Sequence, residues 1–346
     1  MAGTSKKKDL TRREVFRLVA GTAGALAFGN VFASSAEAAP APLSSIVMEA
    51  ETGRILQARA PDYRHRPASL NKILTLMLAF DAIDAGFISP DEVIEVTPDI
   101  TKILYANDEW RERRHLKNKN IPLRAHIDAM IVGSLNESAI VVARRLAGSE
   151  ESFAALMEQK AHAIGATNTT IRNATGYTHA EQWTTARDQA LIAQHLVYAY
   201  AAYYPLFSQK KVDVATQDSN SLQSHNHLFK LLGSADGIKT GWTQASRANL
   251  MASAAQDGKR VVAVVCRAPA PLVAAQAVND MIRNAGFPRH SKNFRDLDPP
   301  VTDAEEVTVR IEALRQRQFN PFEKIERSPS LEPERKICIP AGPLIV

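Results

Sequence analysis

The stretch RANLMASAAQDGKRVVAVVCR, residues 247–267, does most to limit what this chain can fold into. Two apolar runs flank Asp257-Gly258, and Asp-Gly between such runs is a strong signal for a tight hairpin, because both residues accept the left-handed backbone the turn requires. Cys266 sits in the second run and reads as a buried strand residue. A similar pattern stands near the other end, in SSIVMEAETGRILQA, where two apolar runs flank Glu51-Thr52-Gly53. Strand signals therefore occupy both ends of the patterned region and helical signals the middle. That order does not fit the strand-helix alternation of a parallel sheet. It predicts an α+β fold, an antiparallel sheet with flanking helices and a helical insert. No internal repeat is visible.

The middle supplies several helices. Pro67-Ala68-Ser69 leads into LNKILTLMLAFDAIDAGF, whose apolar positions fit a buried helix stopped at Gly86. Residues 101–122 are charged and irregular and read as a surface excursion. Residues 122–165 read as helices, with Ser149 as an N-cap and Gly165 just past a C-terminus. Further helices are expected from Thr185 to about Tyr200 and from about Leu272 to Asn284.

The ends differ in kind. Lys6, Lys7, Lys8, Arg12 and Arg13 precede the apolar stretch LVAGTAGALAFGNVFA, and Ala36-Glu37-Ala38 fits a cleavage site. Residues 1–38 are thus expected to be a signal peptide, too short and too Gly-rich to span a membrane stably. Thr11-Arg12-Arg13 resembles a twin-arginine signal, a general secretory signal being the plainer reading. Either predicts export, with a mature chain that begins near Ala39 and works in the periplasm or otherwise outside the cytoplasm. Lys6, Lys7, Lys8, Arg12, Arg13 and Arg17 outweigh Asp9, Glu14 and Glu37 by three charges, so the formal +5 of the whole chain falls to about +2 without them. That balance gives no electrostatic case for nucleic acid. Residues 39–290 are expected to form the main folded domain, and residues 291–346 a Pro-rich, partly ordered tail with no strong membrane anchor. Two cysteines, Cys266 and Cys338, cannot staple a fold of this size; a disulfide between them stays open. No Cys/His cluster has zinc spacing, so no metal site is expected.

Three short motifs carry chemistry. Ser69-Leu70-Asn71-Lys72 opens a predicted helix, and residues i and i+3 share a helix face, so the Lys72 amine can approach the Ser69 hydroxyl. Serine needs a base to become a nucleophile, and a desolvated lysine near other cations can serve as one. The helix N-terminus favours developing negative charge. Ser134-Leu135-Asn136 places a hydroxyl and an amide between apolar helices. Lys239-Thr240-Gly241 stands just before the paired strands, where glycine lets a ligand lie close to a strand edge. Each alone has a plain reading: a solvated Ser and Lys, a capped interhelical turn, a loop with a lysine. Together, in this order, they are the set found in penicillin-binding proteins and class A β-lactamases.

On these residues, and on MEAETGRIL, PASLNKILTLML, SLNESAIVVARRLAG, TTARDQALIAQHL and SADGIKTGWTQASRANLMASA, the chain resembles the D-alanyl-D-alanine carboxypeptidases, the low-molecular-weight penicillin-binding proteins of the S11 serine peptidases, over about residues 43–290. The resemblance implies a β-lactamase/transpeptidase-like fold and removal of the terminal D-alanine from the pentapeptide stem of peptidoglycan. It also implies β-lactams as covalent inhibitors and no cofactor. By it, Ser69 matches the nucleophile, Lys72 its base, Ser134 and Asn136 the second motif, and Lys239, Thr240 and Gly241 the third. The oxyanion hole maps to the N–H groups of Ser69 and of Trp242 or its neighbour. His225 falls where some relatives carry arginine, and with Lys239 is expected to read the substrate carboxylate. Three departures stand out. Leu135 replaces the family's glycine and is expected to narrow the cleft, Arg247 replaces a small residue, and RERRHLKNKN is unusually basic. A non-catalytic cell-wall-binding relative, with Leu135 as its support, is one rival reading. A β-lactamase is the other, but the stretch after Asn136 lacks that class's E-x-x-x-N arrangement.

Overall fold

The computed structural model describes residues 43–106, 115–286 and 320–322. The predicted signal segment, Arg111–Arg114 of the basic stretch, Cys338 and nearly all of the tail lie outside the described residues. In chain order the elements are β1 (Ser44–Glu49), β2 (Ile55–Arg59), α1 (Lys72–Asp84), β3 (Val93–Glu95), α2 (Pro98–Ala106), β4 (Asn120–Pro122), α3 (Leu123–Ile131), α4 (Asn136–Ala147) and α5 (Glu150–Ala163). They continue with α6 (Ala186–Ala199), β5 (Lys211–Val212), β6 (Leu222–Gln223), α7 (Leu228–Leu231), β7 (Ala235–Thr243), β8 (Arg247–Gln256), β9 (Lys259–Ala268) and α8 (Pro271–Asn284).

Five strands form one antiparallel sheet in the order β2-β1-β9-β8-β7. The two predicted hairpins thus meet, because β1 from one end of the chain pairs with β9 from the other. Alternation along β9 shows why its sequence is apolar at every position from Val261 to Cys266. Val262, Val264 and Cys266 face a core shared with α1 and α3 to α6, whereas Val261, Ala263 and Val265 face α8. Cys266 is buried and free.

Helix α1 is buried on every side from Lys72 through Ala82, as an all-round apolar sequence requires. Its one internal acid, Asp81, is paired with Lys160 at 2.8 Å and accepts a hydrogen bond from Tyr200 at 2.7 Å. Thr185 and Ser149 cap α6 and α5 through their side chains, and Gly165 holds a φ of +99° after α5. Of the tail, Asn320 donates to the Asp81 carbonyl at 3.3 Å, and Phe322 is buried against Phe87.

Two sequence expectations need correction. Residues 101–122 are not irregular throughout: α2 continues to Ala106 with Ile100 and Leu104 buried one turn apart, and β4 pairs with β3. Charged neighbours masked that short amphipathic spacing. Lys239-Thr240-Gly241 does not precede the paired strands but lies within β7, which pairs with β8 along its length. Gly237, Gly241 and Asp236 dilute the strand propensity of this segment, and pairing with β8 overrides it.

Candidate active site

Ser69 sits in a 3-10 turn, Ala68–Asn71, that runs directly into α1. The turn follows a strained residue, Ala68, at φ +51°. A left-handed non-glycine residue costs about 1–2 kcal/mol, so its surroundings must hold it. Asn249 of β8 does so from one side, its amide donating to the carbonyls of Arg66 at 2.9 Å and Pro67 at 3.0 Å. Gly176 presses from the other, and a Cβ there would stand 1.8 Å from the Ala68 carbonyl oxygen. Gly241 closes the third side, since a Cβ on it would lie 3.0 Å from the Ser69 nitrogen. The backbone of β7 can therefore approach the Ser69 N–H closely only because residue 241 is glycine.

Lys72 is wholly buried, and its Nζ lies 2.9 Å from Ser69 Oγ, 2.6 Å from Asn136 Oδ1 and 2.9 Å from the Thr175 carbonyl. Two of these partners only accept. A neutral amine has two N–H groups and one lone pair. A neutral Lys72 that gives its N–H groups to Asn136 and Thr175 would turn its lone pair to the Ser69 hydroxyl. Asn136 is oriented in turn by donating to Tyr177 OH at 3.1 Å. The Asn173–Tyr177 turn that supplies Thr175 is tied to α5, because Glu150 accepts from the Ala174 N–H at 3.0 Å. Burial pushes the Glu150 carboxyl above its usual range, and that hydrogen bond works against the shift.

Ser134 joins the site from the α3–α4 connection, also in a left-handed conformation at φ +58°. Leu135 is a correction to the sequence reading. It is fully buried among the apolar residues behind the site and does not line the cleft. Ser134 and Asn136 line the cavity while Leu135 between them packs into the core.

These groups open on a cavity of about 310 Å³ lined by Ser69, Ser134, Asn136, Thr240, Gly241 and Trp242, with His225 and His227 exposed on its rim. Lys239 does not line it. It is buried in β7, and its Nζ donates to the Thr240 carbonyl at 3.0 Å. Of the residues named from sequence, then, Ser69, Lys72 and Asn136 are in direct contact. Ser134, Thr240, Gly241, Trp242 and His225 share their cavity, and Lys239 supports its edge. The sequence reading missed Thr175, Gly176, Tyr177 and Asn249. NATGYT carries no recognised motif, and Asn249 is one polar residue in a buried strand. That last feature was a legible signal, since a buried amide needs partners. Among the described residues, no three His, Cys, Asp or Glu side chains are placed to hold a metal ion, and no helix is long and apolar enough to cross a membrane.

Comparison with known proteins agrees with this geometry. The profile of the peptidase S11 family, described as D-alanyl-D-alanine carboxypeptidase, matches residues 31–270. The chain is 28% identical over 229 residues to D-alanyl-D-alanine carboxypeptidase DacF of Bacillus subtilis, a match covering 66% of this chain and 58% of that protein. It is 29% identical over 306 residues to DacC of Escherichia coli, covering 85% of this chain and 74% of the other. In structure it is similar to penicillin binding protein 6B of Escherichia coli, with a TM-score of 0.62 and 27% identity over 69% of this chain and 75% of that one.

Proposed function

Since the chain belongs to the D-alanyl-D-alanine carboxypeptidase family, we propose that it hydrolyses the terminal peptide bond of D-Ala-D-Ala stems in peptidoglycan through an acyl-enzyme on Ser69. The observation that carries this reading is the Lys72 amine, 2.9 Å from Ser69 Oγ and beside two acceptors, Asn136 Oδ1 and the Thr175 carbonyl.

Ser69 Oγ attacks the carbonyl carbon of the penultimate D-alanine while Lys72 takes the hydroxyl proton. The carbonyl oxygen gains negative charge beside the Ser69 N–H and the β7 backbone at Gly241–Trp242, where backbone donors are worth a few kcal/mol of barrier. Collapse breaks the C–N bond, and the leaving nitrogen receives a proton through Ser134. Water then attacks the ester and Ser69 regains its proton. Asn136 holds Lys72 and lines the cavity. Thr240 and His225 face the substrate carboxylate, and Lys239, buried in β7, adds positive potential. A β-lactam would acylate the same serine. The basic, apolar leader of residues 1–38 supports export to the periplasm, by the twin-arginine route.

Ser69→Ala should abolish both D-alanine release from purified pentapeptide muropeptides, followed by mass spectrometry, and labelling by a fluorescent penicillin. Lys72→Arg should be nearly as damaging, since a guanidinium stays protonated. Undiminished release by the Ser69 variant would overturn the mechanism.

A further inference from the structure

The cavity has a second half that the three motifs do not account for. Direct partners across two strands show their side chains on the same face of the sheet. Lys239 pairs with Met251, and Met251 packs in the core around α1. Thr240 pairs with Leu250, and Leu250 packs with Ala274, Ala275 and Val278 of α8. Thr240 and Trp242 therefore look away from the core around α1 and toward α8. On that face four further residues line the same cavity, Trp242, Leu250, Pro271 and Ala275, and this apolar part of the lining is its arm. Trp242 is 40% exposed, an unusual state for so large an apolar ring. None of the cavity's lining residues is Asp, Glu, Lys or Arg.

This arm begins at Thr240 and at the histidine rim, the place given above to the carboxylate of the departing residue. The carboxylate and the side chain of that residue branch from one Cα. When the carboxylate is held at Thr240 and His225, the nearest apolar enclosure for the side chain is the arm. Alanine offers it one methyl group, and the four apolar walls extend beyond that. Resting on the carboxypeptidase reading, we infer that the arm binds the side chain of the substrate's C-terminal residue, and that the enzyme releases branched aliphatic D-residues such as D-leucine at least as readily as D-alanine. Each added carbon leaves water for a preformed apolar wall, and a hydrophobic pocket discriminates by about tenfold or more per methylene when contact is close.

The test uses the purified enzyme with diacetyl-L-lysyl-D-alanyl-D-Xaa peptides in which Xaa is alanine, valine or leucine, and reads the released amino acid as kcat/KM. The expected value for D-leucine equals or exceeds that for D-alanine. A value for D-leucine below that for D-alanine would overturn the inference while leaving the carboxypeptidase reading standing. Release from none of the peptides would sink that reading, and the inference with it. Ala275→Leu fills the floor of the arm and should lower the leucine-to-alanine ratio by about tenfold, with fluorescent-penicillin labelling reporting that Ser69 is still in place. An unchanged ratio in a variant that labels would also overturn the assignment.

Discussion

Replacing Asn249 tests how the nucleophile is held. Its amide donates to the carbonyls of Arg66 and Pro67, and its oxygen accepts from the Arg267 N–H at 2.9 Å. The side chain is 2% exposed, so most of these groups find no water when it is removed. An unsatisfied buried donor or acceptor costs about 1–3 kcal/mol. Three groups, with Arg66 on the half-buried side, give about 3–5 kcal/mol for Asn249→Ala. Asn249→Asp separates hydrogen bonding from packing. It keeps the shape and the acceptor but turns a carboxylate oxygen toward two carbonyl oxygens, so at neutral pH it should destabilise at least as much as alanine. Urea unfolding followed by circular dichroism measures the stability, and the rate of acylation by a fluorescent penicillin measures the displacement of Ser69. Acylation should fall by about a hundredfold in either variant, since about 1 Å of misplacement has that effect. An Asp variant as stable and as reactive as the parent would refute the argument that these bonds hold the turn.

Leu135→Gly should lose about 3–5 kcal/mol in urea unfolding, because it empties a fully buried site rather than widening the cleft; faster D-alanine release at unchanged stability would contradict its core placement. Gly176→Ala should slow acylation by about a hundredfold, since its Cβ cannot coexist with the Ala68 carbonyl 1.8 Å away; stopped-flow acylation at the parent rate would show that the turn can yield. Burial lowers His65 and His126 from 6.5 to about 4. Their folded values lie below the unfolded one, so their contribution is fully present above pH 6.5 and is lost as pH falls toward 4, by at most about 3 kcal/mol each. Unfolding midpoints of the parent and His126→Gln between pH 7 and 4.5 should converge as pH falls, and parallel curves would refute this.

Local pattern was enough for the α+β class, the Asp257-Gly258 hairpin, the buried helix after Ser69, the cap at Ser149 and the helix from Thr185, because hydrophobic period, turn chemistry and capping act over a few residues. The three motifs were legible for the same reason: Ser69 and Lys72 are one helical turn apart, and Ser134 and Asn136 share a turn. Only the tertiary structure decided what these motifs touch. One acceptor of Lys72 is a backbone carbonyl, Thr175, and any residue type could have provided it. The turn before Ser69 is locked by Asn249, 182 residues from Pro67, and by the absence of a Cβ at Gly176. Leu135 misled because sequence places it between two site residues while the backbone turns it into the core. Contacts of this kind depend on how distant segments pack, and packing leaves no period or spacing along the chain to be read.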